Sequence, residues 1–304
     1  MVRKIFTYSW STIPHLPMAE KPMSNFWART ITGLSMAFIL LAALYFSGWI
    51  FATIFLLITL AGLWEFYGLV SGENVHPQKI YGTAAGALVY IITTCFFFIP
   101  GETSGGLLWK NAPVITIVIT LFLPFIFEIF RKKSAPLSNI SITILGIIYI
   151  SVPFALLNAF SKQDQVQFHG IPEFLTGYFI LTWLYDTAAY LYGKQFGKHK
   201  FFERISPKKT WEGTIAGITV AFLTSLALSL LFRDVSQSNW LILTFIVVIF
   251  GTFGDLVESL FKRGLHVKDS GTILPGHGGI LDRFDTMLIS SPFVFVYFYL
   301  LNTI

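Results

Sequence analysis

Charge is scarce in this chain. Asp, Glu, Lys and Arg make up 12% of its 304 residues, against 54% that are hydrophobic, and the mean hydropathy is +0.68. A water-soluble domain carries roughly 25% charged residues, so this composition excludes one and defines an integral membrane protein. Cysteine is almost missing: Cys95 stands alone inside an apolar run, which rules out an intramolecular disulfide. No polar stretch is long enough for a soluble domain, and no nucleic-acid-binding module is present. The first 26 residues lack the short apolar core and small-residue cleavage site of a secretory signal. What remains is a cytoplasmic tail, residues 1–26, followed by a single membrane domain, residues 27–304.

Long apolar runs, in contrast, are plentiful. A spanning helix needs about 20 mostly apolar residues. Nine such windows occur, at about 27–46, 49–70, 82–98, 112–130, 140–160, 174–192, 214–232, 240–261 and 286–301. The first two are separated only by Ser47 and Gly48, so they form two tight antiparallel spans or one long element with a re-entrant piece, the former fitting their length better. Lys and Arg concentrate in loops that stay in the cytoplasm. With the N-terminus inside and nine alternating spans, 18 of the 21 basic residues fall inside, leaving Lys110, Lys162 and Arg233 outside. The expectation is an all-α polytopic protein of about nine transmembrane helices, N-terminus cytoplasmic and C-terminus outside. Its net charge of +5 is then largely an orientation signal.

Under that topology Glu65, Glu128, Asp186, Asp255, Glu258, Asp282 and Asp285 all lie toward the cytoplasmic ends of their apolar runs. A transporter is expected to place ionisable groups near the midplane, along a route between the faces; this distribution marks a site open to the cytoplasm. Residues three or four apart share a helix face, so Asp255 neighbours Glu258 and Ser259, and Asp282 neighbours Asp285. Each pair could present oxygens to a hard cation such as Mg²⁺, or could form helix-end ion pairs with Lys262, Arg263 or Arg283. Asp186, embedded in LTWLYDTAAYLYG, needs a partner or a bound ion. Glu65 and Glu128 are weaker candidates, since Arg131 and Lys132 lie close to the latter.

Two loops carry phosphate-type chemistry. LPGHGGILD supplies Gly276, Gly278 and Gly279 before the last helix, where a backbone free of side chains and a helix N-terminus suit an anion; the same glycines could simply make a turn. His277 between them could hydrogen-bond a phosphate, move a proton, or be structural. RISPKKTWEG places Ser206, Lys208 and Lys209 ahead of a helix starting near Thr210, with Trp211 as an interfacial anchor.

The run from Ser259 to Asp285, SLFKRGLHVKDSGTILPGHGGILDRFD, resembles the signature of the phosphatidate cytidylyltransferases, and GD at 254–255 and SPKKTWEG at 206–213 are similar to that family too. The resemblance covers about 35 ordered residues and leaves the first five helices without a diagnostic motif. It implies the conversion of CTP and phosphatidic acid to CDP-diacylglycerol and pyrophosphate, with Mg²⁺ required. Asp255 and Asp282, with Asp285 as a third ligand, would hold one or two cations. Lys208, Lys209, Lys262, Arg263, Lys268 and Arg283 would compensate the remaining phosphate charge, with Lys268, Arg283 and His277 closest to the reacting groups. Membrane lipids would be the surroundings, nucleic acid would not be a partner, and the oligomeric state stays open between monomer and homodimer. Compact length suits the cytoplasmic membrane of a bacterium. A CTP-dependent polyprenol kinase is the nearer alternative and a transporter the more distant one; the DG-x-x-AR pattern of the CDP-alcohol phosphotransferases is absent.

Overall fold

A computed structural model describes residues 25–99, 106–163, 167–168, 171–271 and 278–303. Helices dominate: α1 (Asn25–Phe46), α2 (Gly48–Val70), α3 (Lys79–Phe98), α4 (Gly106–Arg131), α5 (Pro136–Gly146), α6 (Val152–Gln163), α7 (Glu173–Phe196), α8 (Trp211–Leu231), α9 (Gln237–Gly264) and α10 (Leu281–Thr303). A π-helical turn, Ile147–Ser151, fuses α5 and α6 into one continuous apolar element. Each apolar window of the sequence falls on a helix. Ser47 separates α1 from α2 with an extended backbone, and its hydroxyl accepts a hydrogen bond from Trp49 N at 3.2 Å, so the first pair is two helices packed on one another.

Seven of the described elements are long and apolar enough to cross a membrane: α2, α3, α4, α5–α6, α8, α9 and α10. The described part of α1 that counts as apolar is shorter, Gly33–Phe46. At 24 residues α7 is long enough, but Tyr, Thr and Asp186 dilute its hydropathy. Burial explains the difference. Residues 173–179 of α7 are buried throughout, in contact with protein where a peripheral helix meets lipid. On α4, by comparison, Leu107, Val114, Phe122 and Ile129 all face outward.

The core lies where α2, α6, α7, α9 and α10 meet. Phe55 of α2 sits edge-on to Phe154 of α6 at 5.5 Å and to Phe284 of α10 at 5.8 Å, and Trp240 of α9 is fully buried against Phe174 of α7. Lipid tails are as apolar as these side chains, so close packing and ring geometry hold the helices together more than water exclusion does.

Two short antiparallel hairpins interrupt the helical pattern. β1 (Gln167–Phe168) pairs with β2 (Ile171–Pro172), and β3 (Lys200–Phe202) pairs with β4 (Ser206–Thr210). Pro207 sits in β4, and α8 begins one residue past the strand, where Thr210 caps it by accepting from Gly213 N at 3.3 Å.

Candidate active site

Small residues decide where the carboxylates meet. On α9, a Cβ added at Gly254 would collide with the Asp285 carbonyl oxygen and lie 3.1 Å from Thr286 Cα; one added at Gly251 would lie 2.6 Å from Thr286 Cγ2. Helices α9 and α10 therefore touch backbone to backbone, as small residues in membrane helices allow. Asp255 is thereby carried to the side of Asp285. Helix α7 closes the group: Thr286 Oγ1 donates to Asp186 Oδ2 at 3.0 Å and lies 3.4 Å from Asp285 Oδ1. Beside it, the hydroxyls of Tyr185 and Thr252 hydrogen-bond at 2.5 Å and tie α7 to α9.

Asp186, Asp255 and Asp285 are near enough to repel one another. Asp186 is exposed to solvent, and Asp255 and Asp285 are half-buried. Lys209 Nζ, from β4, is 2.7 Å from Asp255 Oδ2, and the Ser259 hydroxyl donates to Asp255 Oδ1 at 3.2 Å. Arg283 adds an attraction to Asp186. The hairpin that delivers Lys209 is fastened at both ends. The Glu212 carboxylate accepts from Lys198 N at 3.1 Å and His199 N at 3.2 Å, and Arg263 Nε donates to the Ile205 carbonyl at 3.3 Å.

Asp282 occupies a different place from Asp285. Its Oδ1 is 2.6 Å from Lys262 Nζ, while Oδ2 accepts from Ser270 N at 2.9 Å and Gly279 N at 2.8 Å and lies 3.0 Å from Ser270 Oγ. Lys262 also meets Glu258 at 2.5 Å, so the ion-pair alternative describes both acids. A second carboxylate completes this clasp. Glu65, buried on α2, accepts from Ser270 Oγ at 2.5 Å, Ile280 N at 2.9 Å and Leu281 N at 3.1 Å. It satisfies the free amides at the start of α10 and sets a negative charge at the positive end of that helix. Gly279 lies so close to Glu65 and Ser270 that any Cβ would overlap both, and Gly278 has φ +84°, a conformation that favours glycine.

The residues singled out by sequence thus divide. Asp186, Asp255, Asp285 and Lys209 converge; Asp282, Lys262, Gly278 and Gly279 form the adjoining clasp. Ser206 pairs with Phe202 in the hairpin, and Lys208, Arg263 and Lys268 are exposed. Gly276 and His277 lie outside the described residues. Glu128 is satisfied by Arg131, Gln78 and Asn139 at 2.7–2.8 Å, well away from this group. Sequence reasoning undervalued Glu65 and passed over Thr286. For Glu65 a signal existed, since no basic residue lies within a helical turn of it on α2.

Carboxylate and hydroxyl oxygens are the donors that a hard divalent cation takes. Among the described residues, no three acidic, His or Cys side chains already converge in a metal-holding arrangement. The chemistry of the set, three carboxylates and a hydroxyl, fits Mg²⁺.

A polytopic helical membrane protein that gathers three aspartates and a lysine from α7, α9, α10 and β4 carries the kinds of side chain that phosphate chemistry at a membrane uses. The chain belongs to the cytidylyltransferase family, which it matches over residues 27–301. It is 32% identical to the phosphatidate cytidylyltransferase of Staphylococcus haemolyticus over 87% of this chain and 95% of that protein. It is equally similar to the phosphatidate cytidylyltransferase of Staphylococcus epidermidis, with the same coverage. Against the Staphylococcus aureus protein of that name, identity is 38% over 58% of this chain and 66% of its relative.

Proposed function

We propose that the chain is a phosphatidate cytidylyltransferase of the bacterial cytoplasmic membrane, working at the cytoplasmic face. One observation carries the reading: Asp186, Asp255 and Asp285 gather beside Thr286 with Lys209 at their edge, in the segments that resemble the family. A phosphate oxygen of phosphatidic acid attacks the α-phosphorus of CTP in line. The bond from that phosphorus to the bridging oxygen breaks, and pyrophosphate leaves with it. The nucleophile is already anionic, so no strong base is needed; the barrier is repulsion between two polyanions.

The residues answer that barrier in two ways. Lys209 and Lys262 set ammonium charges beside the aspartates, and the clasp of Glu65 and Asp282 fixes the start of α10, so the carboxylates do not drift during turnover. Asp255 and Asp285, with Asp186 at the same hydroxyl, would hold Mg²⁺, one ion or two. Bound there, the metal would neutralise phosphate oxygens as charge shifts to the leaving group. Asp282, its oxygens engaged by Lys262, Ser270 and Gly279, is assigned to positioning. Nine spans, counting α1 and α7, with the N-terminus inside and the C-terminus outside, put this cluster at the cytoplasmic surface, where CTP is found and lipid headgroups reach.

The test is pyrophosphate release by purified protein given CTP, Mg²⁺ and phosphatidic acid in mixed micelles, each omitted in turn. Release that requires all three, with cytidine label recovered in lipid, is the expected result. CDP formation with a polyprenol acceptor, in place of pyrophosphate, would make the protein a kinase.

A further inference from the structure

Where α8 starts, beside the β3–β4 hairpin, the surface carries a wide-open groove of about 700 Å³. Lys198 and Lys200 line it from the approach to the hairpin and from β3, and Trp211 and Ile215 line it from α8. Trp211 is 49% exposed and Ile215 57%, on a helix long and apolar enough to cross a membrane. Ile215 therefore meets lipid, and Trp211, one turn nearer the end, sits where the chain leaves it. The Trp211 ring is braced edge-on by Phe201 at 4.5 Å, and its backbone amide donates to the His199 carbonyl at 2.9 Å. Lys198 and Lys200 are exposed, and neither ammonium has a partner among the described residues.

Two acids also line the groove. Glu212 is held internally, by His199 Nδ1 at 2.6 Å and by the amides of Lys198 and His199, and Glu203 stands at the hairpin turn. Over residues 194–212 six basic residues stand against these two acids. Lys209 turns to Asp255, while Lys194, Lys198, Lys200, Arg204 and Lys208 are exposed. Each lysine at a membrane surface adds attraction for anionic lipid. The apolar wall decides between anions. A soluble phosphate compound gains nothing from Ile215 on a lipid-facing flank, whereas a phospholipid lays its glycerol and first methylenes there and brings its phosphate level with Trp211. Lysine stems lie along apolar surface and lift their ammonium groups to that level. We propose that this groove binds the phosphate headgroup of an anionic phospholipid of the surrounding bilayer, through Lys198 and Lys200, at a site apart from the aspartates. The inference rests on the membrane placement of α8 and not on the reaction proposed above.

Lys198→Gln combined with Lys200→Gln removes both charges and keeps the Lys198 amide on Glu212. The detergent-purified full chain, as wild type and as this double variant, would be titrated by calorimetry with dioctanoyl phosphatidylglycerol, dioctanoyl phosphatidylcholine, inorganic phosphate and CTP. A control protein with Lys132→Gln and Lys133→Gln loses two exposed lysines of the α4–α5 connection instead. Wild type is expected to bind phosphatidylglycerol more tightly than phosphatidylcholine or inorganic phosphate. The Lys198, Lys200 variant is expected to bind phosphatidylglycerol about tenfold more weakly, with CTP binding and the unfolding temperature without lipid unchanged, and the control protein is expected to match wild type. Equal phosphatidylglycerol affinity in wild type and the Lys198, Lys200 variant overturns the proposal. Equal losses in the two double variants overturn it as well, because the attraction is then diffuse. Inorganic phosphate bound as tightly as the lipid would make the groove an ion site, and a loss confined to CTP would give its lysines to the nucleotide; either result removes the lipid.

Discussion

Asp282 and Asp285 are three residues apart and share a helix face, yet their surroundings give them opposite roles. Every oxygen of Asp282 meets a donor: Lys262 on one side, Ser270 and Gly279 on the other. An asparagine there must turn its amide nitrogen toward one of those donor sets. The loss of a hydrogen bond to a charged group, with its partner left buried, predicts destabilisation of about 3 kcal/mol for Asp282→Asn. Asp285→Asn keeps an oxygen for Thr286 N, 2.7 Å away, and removes one of three mutually repelling charges. It should unfold at the same temperature or higher while losing turnover. Thermal unfolding of both variants in one detergent, beside their pyrophosphate release, separates the two; equal destabilisation would remove the distinction. The sequence made both aspartates visible as candidates through their place beside a basic, glycine-punctuated loop. It could not assign them, because Asp282 is defined by Ser270 and Lys262 and Asp285 by groups from α7 and α9, and neither partnership follows a helical period. Glu65 was harder still. Its partners are amides more than 200 residues away, and backbone donors leave no trace in a residue pattern.

Among the elements, the contact of α9 with α10 sets the site, and two glycines of α9 test it in opposite directions. Ala has the higher helix propensity by about 1 kcal/mol, so Gly→Ala on an exposed helix face should stabilise. Gly264, at the end of α9, has no atom within 4 Å of an added Cβ, and Gly264→Ala is expected to be neutral or slightly stabilising. At Gly254 the same methyl group strikes the backbone of Asp285, which cannot swing aside as a side chain does. Gly254→Ala should therefore lower the unfolding temperature and cut turnover at least tenfold by parting Asp255 from Asp285. Comparison of the two variants in unfolding and turnover decides the matter, and a stable, active Gly254→Ala protein would mean that α9 and α10 are not locked at this point. The existence of these helices was plain from hydropathy. Their pairing was not, since GTFGD reads as an unremarkable stretch of small residues until a second helix lies across it. The β3–β4 hairpin was legible only as a basic approach to the helix that starts near Thr210; its pairing depends on Lys200 and Thr210 meeting across a turn.

For the whole molecule the deciding element is α7, whose first half is enclosed by protein and which hydropathy alone does not mark as a span. Hydropathy measures preference for lipid. A helix packed among other helices can carry Thr, Tyr and an aspartate because its neighbours satisfy them, which is why α7 supplies both core packing through Tyr178 and a carboxylate, Asp186, that accepts from Thr286 of α10. Whether it crosses fixes on which side everything downstream lies. Lys133 follows α4 and Arg233 follows α8, and between them come α5–α6, α7 and α8. Three crossings put the two positions on opposite sides of the membrane; two put them on the same side. The single cysteine makes the measurement direct. In a Cys95→Ser background, Lys133→Cys and Arg233→Cys, both at exposed positions, would be treated with a membrane-impermeant maleimide in intact cells and again after permeabilisation. Nine spans with the N-terminus inside predict that Arg233→Cys labels in intact cells and that Lys133→Cys labels only after permeabilisation. Labelling of both in the same condition would take α7 out of the count and move the α8–α9 connection to the side of the α4–α5 connection. Asp186 would then reach the aspartate cluster from a helix that enters the membrane without crossing it, and the positive-inside count, which favours the nine-span arrangement, would have to give way to packing.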